Sequence, residues 1–227
     1  MKRNELKKLV AECMQAKNLE SALQLIGRFC KTIPMGKKGC WRFWFDRFLQ
    51  DMQGKADYPF AIFAKGNGKL PFYSWSTLPG TTCPGAGDCL NWCYSFRAWR
   101  YPCAFLRQLQ NTLLLKFKPD DVAQAFLSLP QNRDVRLYVD GDFSSIRIVK
   151  FWMDLIKIRK DLRVYGYSKS WVELLGFESV DSFPQNYVLN ISSGSKHQQN
   201  PGIFERVAQM PIARGEFVAV PIDETGL

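Results

Sequence analysis

The sequence predicts an α/β fold: an incomplete parallel (β/α) barrel or an open parallel sheet, preceded by a helical segment. Two observations predict it. From Pro59 onward, short runs of β-branched and aromatic residues alternate with amphipathic stretches, and residues 1–55 carry their apolar side chains at helical spacing. Strand–helix alternation of this kind implies parallel strands joined by right-handed crossovers. An open doubly wound sheet and an incomplete barrel both satisfy it, and both build their sites at the carboxyl ends of the strands.

The elements follow in order. Leu6, Leu9, Val10 and Cys13 mark a first helix, and Leu19, Ala22, Leu23 and Ile26 a second. A basic break containing Pro34, Gly36, Lys37 and Lys38 separates them from an aromatic third helix over 41–48. Residues 1–55 are thus a helical segment and 56–227 the α/β domain. Strands are expected at 60–65, 72–76, 135–140, 163–167, 187–191 and 217–222, each bounded by Gly, Pro, Asp or Ser. Pro102 suits a first helical position, with Phe105, Leu106, Leu109 and Leu113 on one face. Pro119 opens another helix, with Asp120 and Asp121 in its first turn. A helix over 144–160 is expected with Ser144 as its cap and Val149, Trp152, Met153 and Ile156 as its stripe. Ser170 and Glu173 form a capping box for a short helix ending near Gly176.

The composition is that of a globular chain, 46% hydrophobic and 23% charged. No apolar run approaches the roughly 20 residues of a membrane span. The basic N-terminus lacks the apolar stretch of a signal peptide, so a cytoplasmic protein is expected. The formal charge of +10 suits polyanions such as nucleic acid, or another anionic substrate, as well as a merely soluble surface.

The loops at strand ends carry the chemistry. Cys83-x5-Cys89-x3-Cys93 follows the second expected strand, with Pro84, Gly85 and Gly87 letting the backbone curl around a small object. Three thiols so placed can serve one metal or iron–sulfur centre, and free N–H groups in the curl could bond cluster sulfides. A single histidine, His197, makes any metal site thiolate-based. Zinc is the alternative, with Cys103 the nearest fourth ligand, although the usual paired-cysteine spacing is absent. Aromatics and arginines interleave over 92–101, where Arg97 and Arg100, with Lys37 and Lys38, could contact nucleic acid. Asp140 and Asp142 could hold Mg2+ for phosphodiester hydrolysis or cap the helix that follows.

The run TCPGAGDCLNWCYSFRAWRYP, then VRLYVDGDFSS, then a helix containing FW, then VYGYSKSW, resembles the phage- and plasmid-borne gene-product-88 family over roughly 70–195. That family in turn looks like a reduced relative of radical S-adenosylmethionine enzymes. The resemblance implies a 4Fe-4S cluster on Cys83, Cys89 and Cys93, with S-adenosylmethionine on its open iron. Gly141 and Asp142 would contact that cofactor, with Tyr94 beside the last cysteine and Ser168, Lys169 and Ser192 across the pocket. The spacing departs from the superfamily's C-x3-C-x2-C. Three functions follow as expectations: a radical-enzyme-like iron–sulfur protein of a mobile element; a non-enzymatic regulator or inhibitor binding a host or plasmid protein; and a metal-dependent nuclease.

Overall fold

The computed structural model describes residues 1–36, 39–54, 58–68 and 70–218. Helices α1 (Arg3–Gln15), α2 (Leu19–Lys31) and α3 (Trp41–Gln53) form the N-terminal segment. Asn18 caps α2 by accepting the Ser21 N–H at 2.8 Å. Their apolar stripes pack on α6 (Pro102–Phe117), where the rings of Trp41 and Phe45 lie 5.9 and 6.3 Å from Phe105. One hydrophobic core therefore runs from Leu6 to Ile212 and includes the N-terminal helices.

The sheet has six strands in sequence order: β1 (Ala64–Asn67), β2 (Leu70–Ser74), β3 (Asp134–Leu137), β4 (Arg163–Ser168), β5 (Tyr187–Ser192) and β6 (Ala213–Phe217). β1 is antiparallel to β2, and every other pair is parallel. Right-handed crossovers that always advance in one direction put their helices on one face, so the sheet is singly wound. The doubly wound arrangement is not adopted. Among the described residues β1 and β6 are the edges, and the sheet stays open between them.

Alternation along the strands divides the two faces. Val135, Leu137, Val164, Tyr187, Leu189 and Ile191 are buried against the crossover helices. These are α6, α7 (Pro119–Leu127), α8 (Ile146–Ile158), α9 (Trp171–Glu178) and α10 (Pro201–Ala208). The alternate residues Arg136, Tyr165, Tyr167, Val188 and Asn190 are half-buried on the opposite, open face.

Several boundaries differ from the sequence reading, each for a local reason. Phe60 to Phe63 are not strand, because amide side chains of α6 take their backbone groups. Gln110 accepts from the Phe60 N–H at 3.0 Å and donates to its carbonyl at 2.8 Å, and Asn111 donates to the Ile62 carbonyl at 3.0 Å. β3 stops at Leu137 because Tyr138 turns to φ 55°. Its ring packs 4.9 Å from Phe143, and its hydroxyl accepts the Trp152 indole N–H at 2.9 Å. The last strand is Ala213–Phe217 rather than 217–222, of which 219–222 lie outside the described residues. Ser145, not Ser144, caps α8. The Ser170–Glu173 capping box does not form: Ser170 makes no side-chain cap bond, and α9 runs on to Glu178. α10 was not foreseen, although Asn200 caps it and Pro201 is its first residue. Two short helices, α4 (Cys89–Trp92) and α5 (Ser95–Ala98), lie within the loop after β2.

Candidate functional site

A cavity of about 510 Å3 opens at the carboxyl ends of β3, β4 and β5. Cys83, Cys89 and Cys93 all line it. Cys83 precedes a turn in which its carbonyl accepts the Ala86 N–H at 3.1 Å. Cys89 is the first residue of α4, and Cys93 follows the last. The short helix thus sets two of the three thiols along one wall.

This loop is fastened over the sheet end by backbone contact. Gly87 N–H donates to the Gly194 carbonyl at 3.1 Å, and Lys196 N–H to the Gly85 carbonyl at 3.0 Å. Ser195 Oγ donates to the Gly85 carbonyl at 3.0 Å and lies 3.2 Å from the Lys169 carbonyl. A Cβ at Gly85 would stand 1.7 Å from the Lys169 oxygen, and one at Gly87 2.8 Å from the Lys196 nitrogen. These glycines therefore permit close packing onto the loops after β4 and β5. The N–H groups of Ala86 and Gly87 are spent within the protein, so they are not the free donors to a cluster that the sequence suggested.

The floor is a buried polar hub. Asp142, 4% exposed, accepts from Phe143 N–H at 2.8 Å, Ser168 Oγ at 2.7 Å and Lys169 N–H at 2.7 Å. It ties the end of β3 to the end of β4. Burial raises its carboxyl above the usual range, against the pull of those donors. Gly141 holds φ 81°, and a Cβ there would stand 1.9 Å from Thr77 Oγ1. Thr77 and Thr82 share a hydroxyl bond of 2.9 Å beneath it. Burial also raises Asp140, which is half-buried and lines the cavity. The two aspartates are held separately and do not form an exposed carboxylate pair.

Burial pushes the Cys83 thiol up to about 12, with Asp142 adding to it. Burial also raises Cys89, but the Lys169 ammonium opposes that shift. Lys169 Nζ donates to Ser192 Oγ at 2.6 Å across the cavity. Tyr94 is largely exposed, and its hydroxyl donates to the Val139 carbonyl at 2.7 Å.

Of the residues expected at a cofactor site, Gly141, Asp142, Tyr94, Lys169 and Ser192 line the cavity with the three cysteines. Ser168 lies behind them, 1% exposed and bonded to Asp142. Cys103 is not on the cavity wall; its thiol lies in the fields of Arg107 and of Arg47 from α3. In the 92–101 segment Phe96 and Trp99 are core, whereas Trp92, Tyr94 and Tyr101 are exposed along with Arg97 and Arg100. Lys37 and Lys38 lie outside the described residues. Arg136, Tyr138 and Tyr167 also line the cavity and were read only as strand residues. Their signal was strand alternation itself, since Arg136 and Tyr167 occupy the phase opposite to the buried one.

The donor set fits a soft metal or an iron–sulfur group in kind: three thiols from one fastened loop face one space. Among the described residues, however, no three Cys, His, Asp or Glu side chains form a group that could hold a single ion. A family model described as gene product 88 matches residues 52–225, leaving most of the N-terminal helical segment outside the match. No curated protein and no solved structure matches the chain.

Proposed function

The chain belongs to the gene product 88 family, and we propose that it is an iron–sulfur protein of a phage or plasmid, with a 4Fe-4S cluster held by Cys83, Cys89 and Cys93 and open toward the cavity. The observation that carries this is the convergence of three cysteines from one loop on one cavity at the carboxyl ends of parallel strands. A cluster suits the arrangement better than zinc. Tetrahedral zinc draws its thiolates to about 2.3 Å from a single point, whereas a cluster sets its own metal–sulfide body between them. A radical-enzyme-like relationship, with S-adenosylmethionine on the open iron, is supported by the singly wound sheet and by a cysteine loop directly after the first parallel strand. On that view the sheet is part of a barrel. When bound, such a centre supplies one-electron chemistry. The chain's own residues fasten the loop and place Lys169 and Ser192 across the cavity.

One observation favours a second use of the same centre. Asp142, the acidic residue expected to greet a cofactor amino group, is spent on three internal donors. That suits a regulatory or inhibitory protein whose cluster is structural. A nuclease is less well supported, because Asp142 is bonded within the protein and Asp140 belongs to no group among the described residues that could hold a metal ion. No helix among the described residues is long and apolar enough to cross a membrane.

Anaerobic purification tests the proposal. The expected product is a coloured protein with near-equal iron and acid-labile sulfide, and visible absorbance that dithionite bleaches. A colourless chain with one zinc would overturn it. If the cluster is present, S-adenosylmethionine cleavage under reduction separates the catalyst from the regulator.

A further inference from the structure

We propose that the open face of the sheet, below the cysteine loop, binds a nucleotide unit through Arg136 and the tyrosines beside it. This deepens the reading of the cavity as a binding site, but does not need the cluster. Arg136 projects from β3 to the open face, between Ser74 of β2 and Tyr165 of β4 in register. Its guanidinium carbon sits over the Tyr167 ring, 4.8 Å from the centroid. Its Nε is buried without a hydrogen-bond partner, and no carboxylate forms an ion pair with Arg136 among the described residues. Asp140 feels its charge without forming an ion pair. Nε is sealed from the cavity, so an acceptor that enters it meets the terminal nitrogens of the guanidinium, where Arg136 lines the wall.

The surroundings specify what the acceptor is attached to. An aromatic row crosses the same face: Phe72 to Tyr165 at 5.9 Å, Tyr165 to Tyr167 at 6.5 Å and Tyr167 to Phe217 at 5.3 Å. These contacts are edge-on, with interplanar angles of 85°, 72° and 81°, so the rings do not stack upon one another. Tyr167 lines both the cysteine cavity and a neighbouring cavity of about 460 Å3, which also takes in Asn190 and Arg214. Cations interleaved with ring faces along a sheet are the means by which proteins hold a phosphate beside a planar base. The net charge of +10 agrees in sign. Such a unit could be a free nucleotide or part of a single strand, and the test separates the two.

Calorimetric titrations of the full chain at low salt would use AMP, adenosine, inorganic phosphate and a single-stranded oligonucleotide. AMP or the oligonucleotide should bind at least about tenfold more tightly than phosphate or adenosine. The better of the two identifies the source. Arg136→Gln should weaken that ligand about tenfold or more and leave adenosine unchanged, whereas Tyr167→Ala should weaken both. Arg136→Lys, which keeps charge without the fork, guards against a folding defect and should recover part of the affinity. Equal binding of phosphate and AMP, no binding of any probe, or an unaffected Arg136→Gln in a folded chain would overturn the assignment. Nucleotide binding in a chain that takes up no iron would leave this site standing and remove the cluster, and iron without nucleotide would do the reverse.

Discussion

Cys13 and Cys30 in the N-terminal helices share a raised thiol with Cys83 and Cys89 at the cavity, and little else. Cys13 and Cys30 sit between the N-terminal helices, 0% and 1% exposed. Burial pushes both up to about 12, helped by Glu12 at one and Asp46 at the other. Each is surrounded by protein: Cys13 Sγ lies 3.9 Å from the Ala22 carbonyl, and Cys30 Sγ donates to Asp46 Oδ1 at 3.2 Å. Cys83 is pushed as far, yet it faces open space with Cys89 and Cys93, and Lys169 counters the shift at Cys89. A high thiol pKa therefore reports burial. Function is carried by what the sulfur faces.

Metal content should break or sharpen this contrast most strongly. Cys89→Ala is expected to lose all iron after anaerobic preparation, while Cys13→Ala keeps it and costs about 1 kcal/mol of stability. Equal iron loss in both variants would erase the distinction. Because coordination needs thiolates, uptake by the metal-free chain should rise with pH and reverse in acid.

Glycines in the same two regions offer the next largest difference. Gly39 and Gly141 both have positive φ, but a Cβ at Gly39 meets nothing within 4 Å, whereas at Gly141 it meets Thr77. Gly141→Ala should cost about 3–5 kcal/mol, adding steric overlap to backbone strain, and Gly39→Ala about 1 kcal/mol. Denaturant midpoints at equal slope would measure both.

Cys103 should side with the packing cysteines. It begins α6 away from the cavity, so Cys103→Ala is expected to retain full iron and shift stability by under about 1 kcal/mol. Iron loss equal to that of Cys89→Ala would mean a closed, four-thiolate centre.

The smallest effect lies at the amino-terminal edge of the sheet. A side-chain hydrogen bond from Arg159 lowers the Asp161 carboxyl from 3.8 to about 2. Its folded value is below its unfolded one, so its contribution is present above pH 3.8 and lost as pH falls toward about 2. Asp161→Asn should be slightly less stable than the parent at neutral pH, with the gap closing over that acid range in thermal melts.

Most of the long helices were legible because their signals are local, although α10 was overlooked despite Asn200 and Pro201 at its start. Pro102 and Pro119 open α6 and α7 as expected, and the apolar stripe of α8 is where periodicity puts it. Two strand boundaries failed because they are decided at a distance. Phe60 to Phe63 look like strand until Gln110 and Asn111, about fifty residues later, take their backbone groups. Tyr138 looks like strand until Trp152 and Phe143 claim it in a left-handed turn. The cysteine loop was visible from composition, but the partners of Gly85 and Gly87 lie in loops that only folding brings near. Arg136 escaped notice because a lone arginine in a strand reads as solvated until the sheet shows that its face lines a cavity.

The fastening of Gly85 by Ser195 spans 110 residues of chain. During synthesis from the amino end, the three thiols emerge long before the segment that roofs them. Between the emergence of Cys83 and that of Ser195 they belong to a nascent chain whose β3, β4 and β5 loops arrive one after another. The cavity cannot be assembled until Ser195 and Lys196 have left the ribosome, so any metal held in it is enclosed only after that segment has emerged. The timing of assembly is thus written into the same bond that holds the site shut.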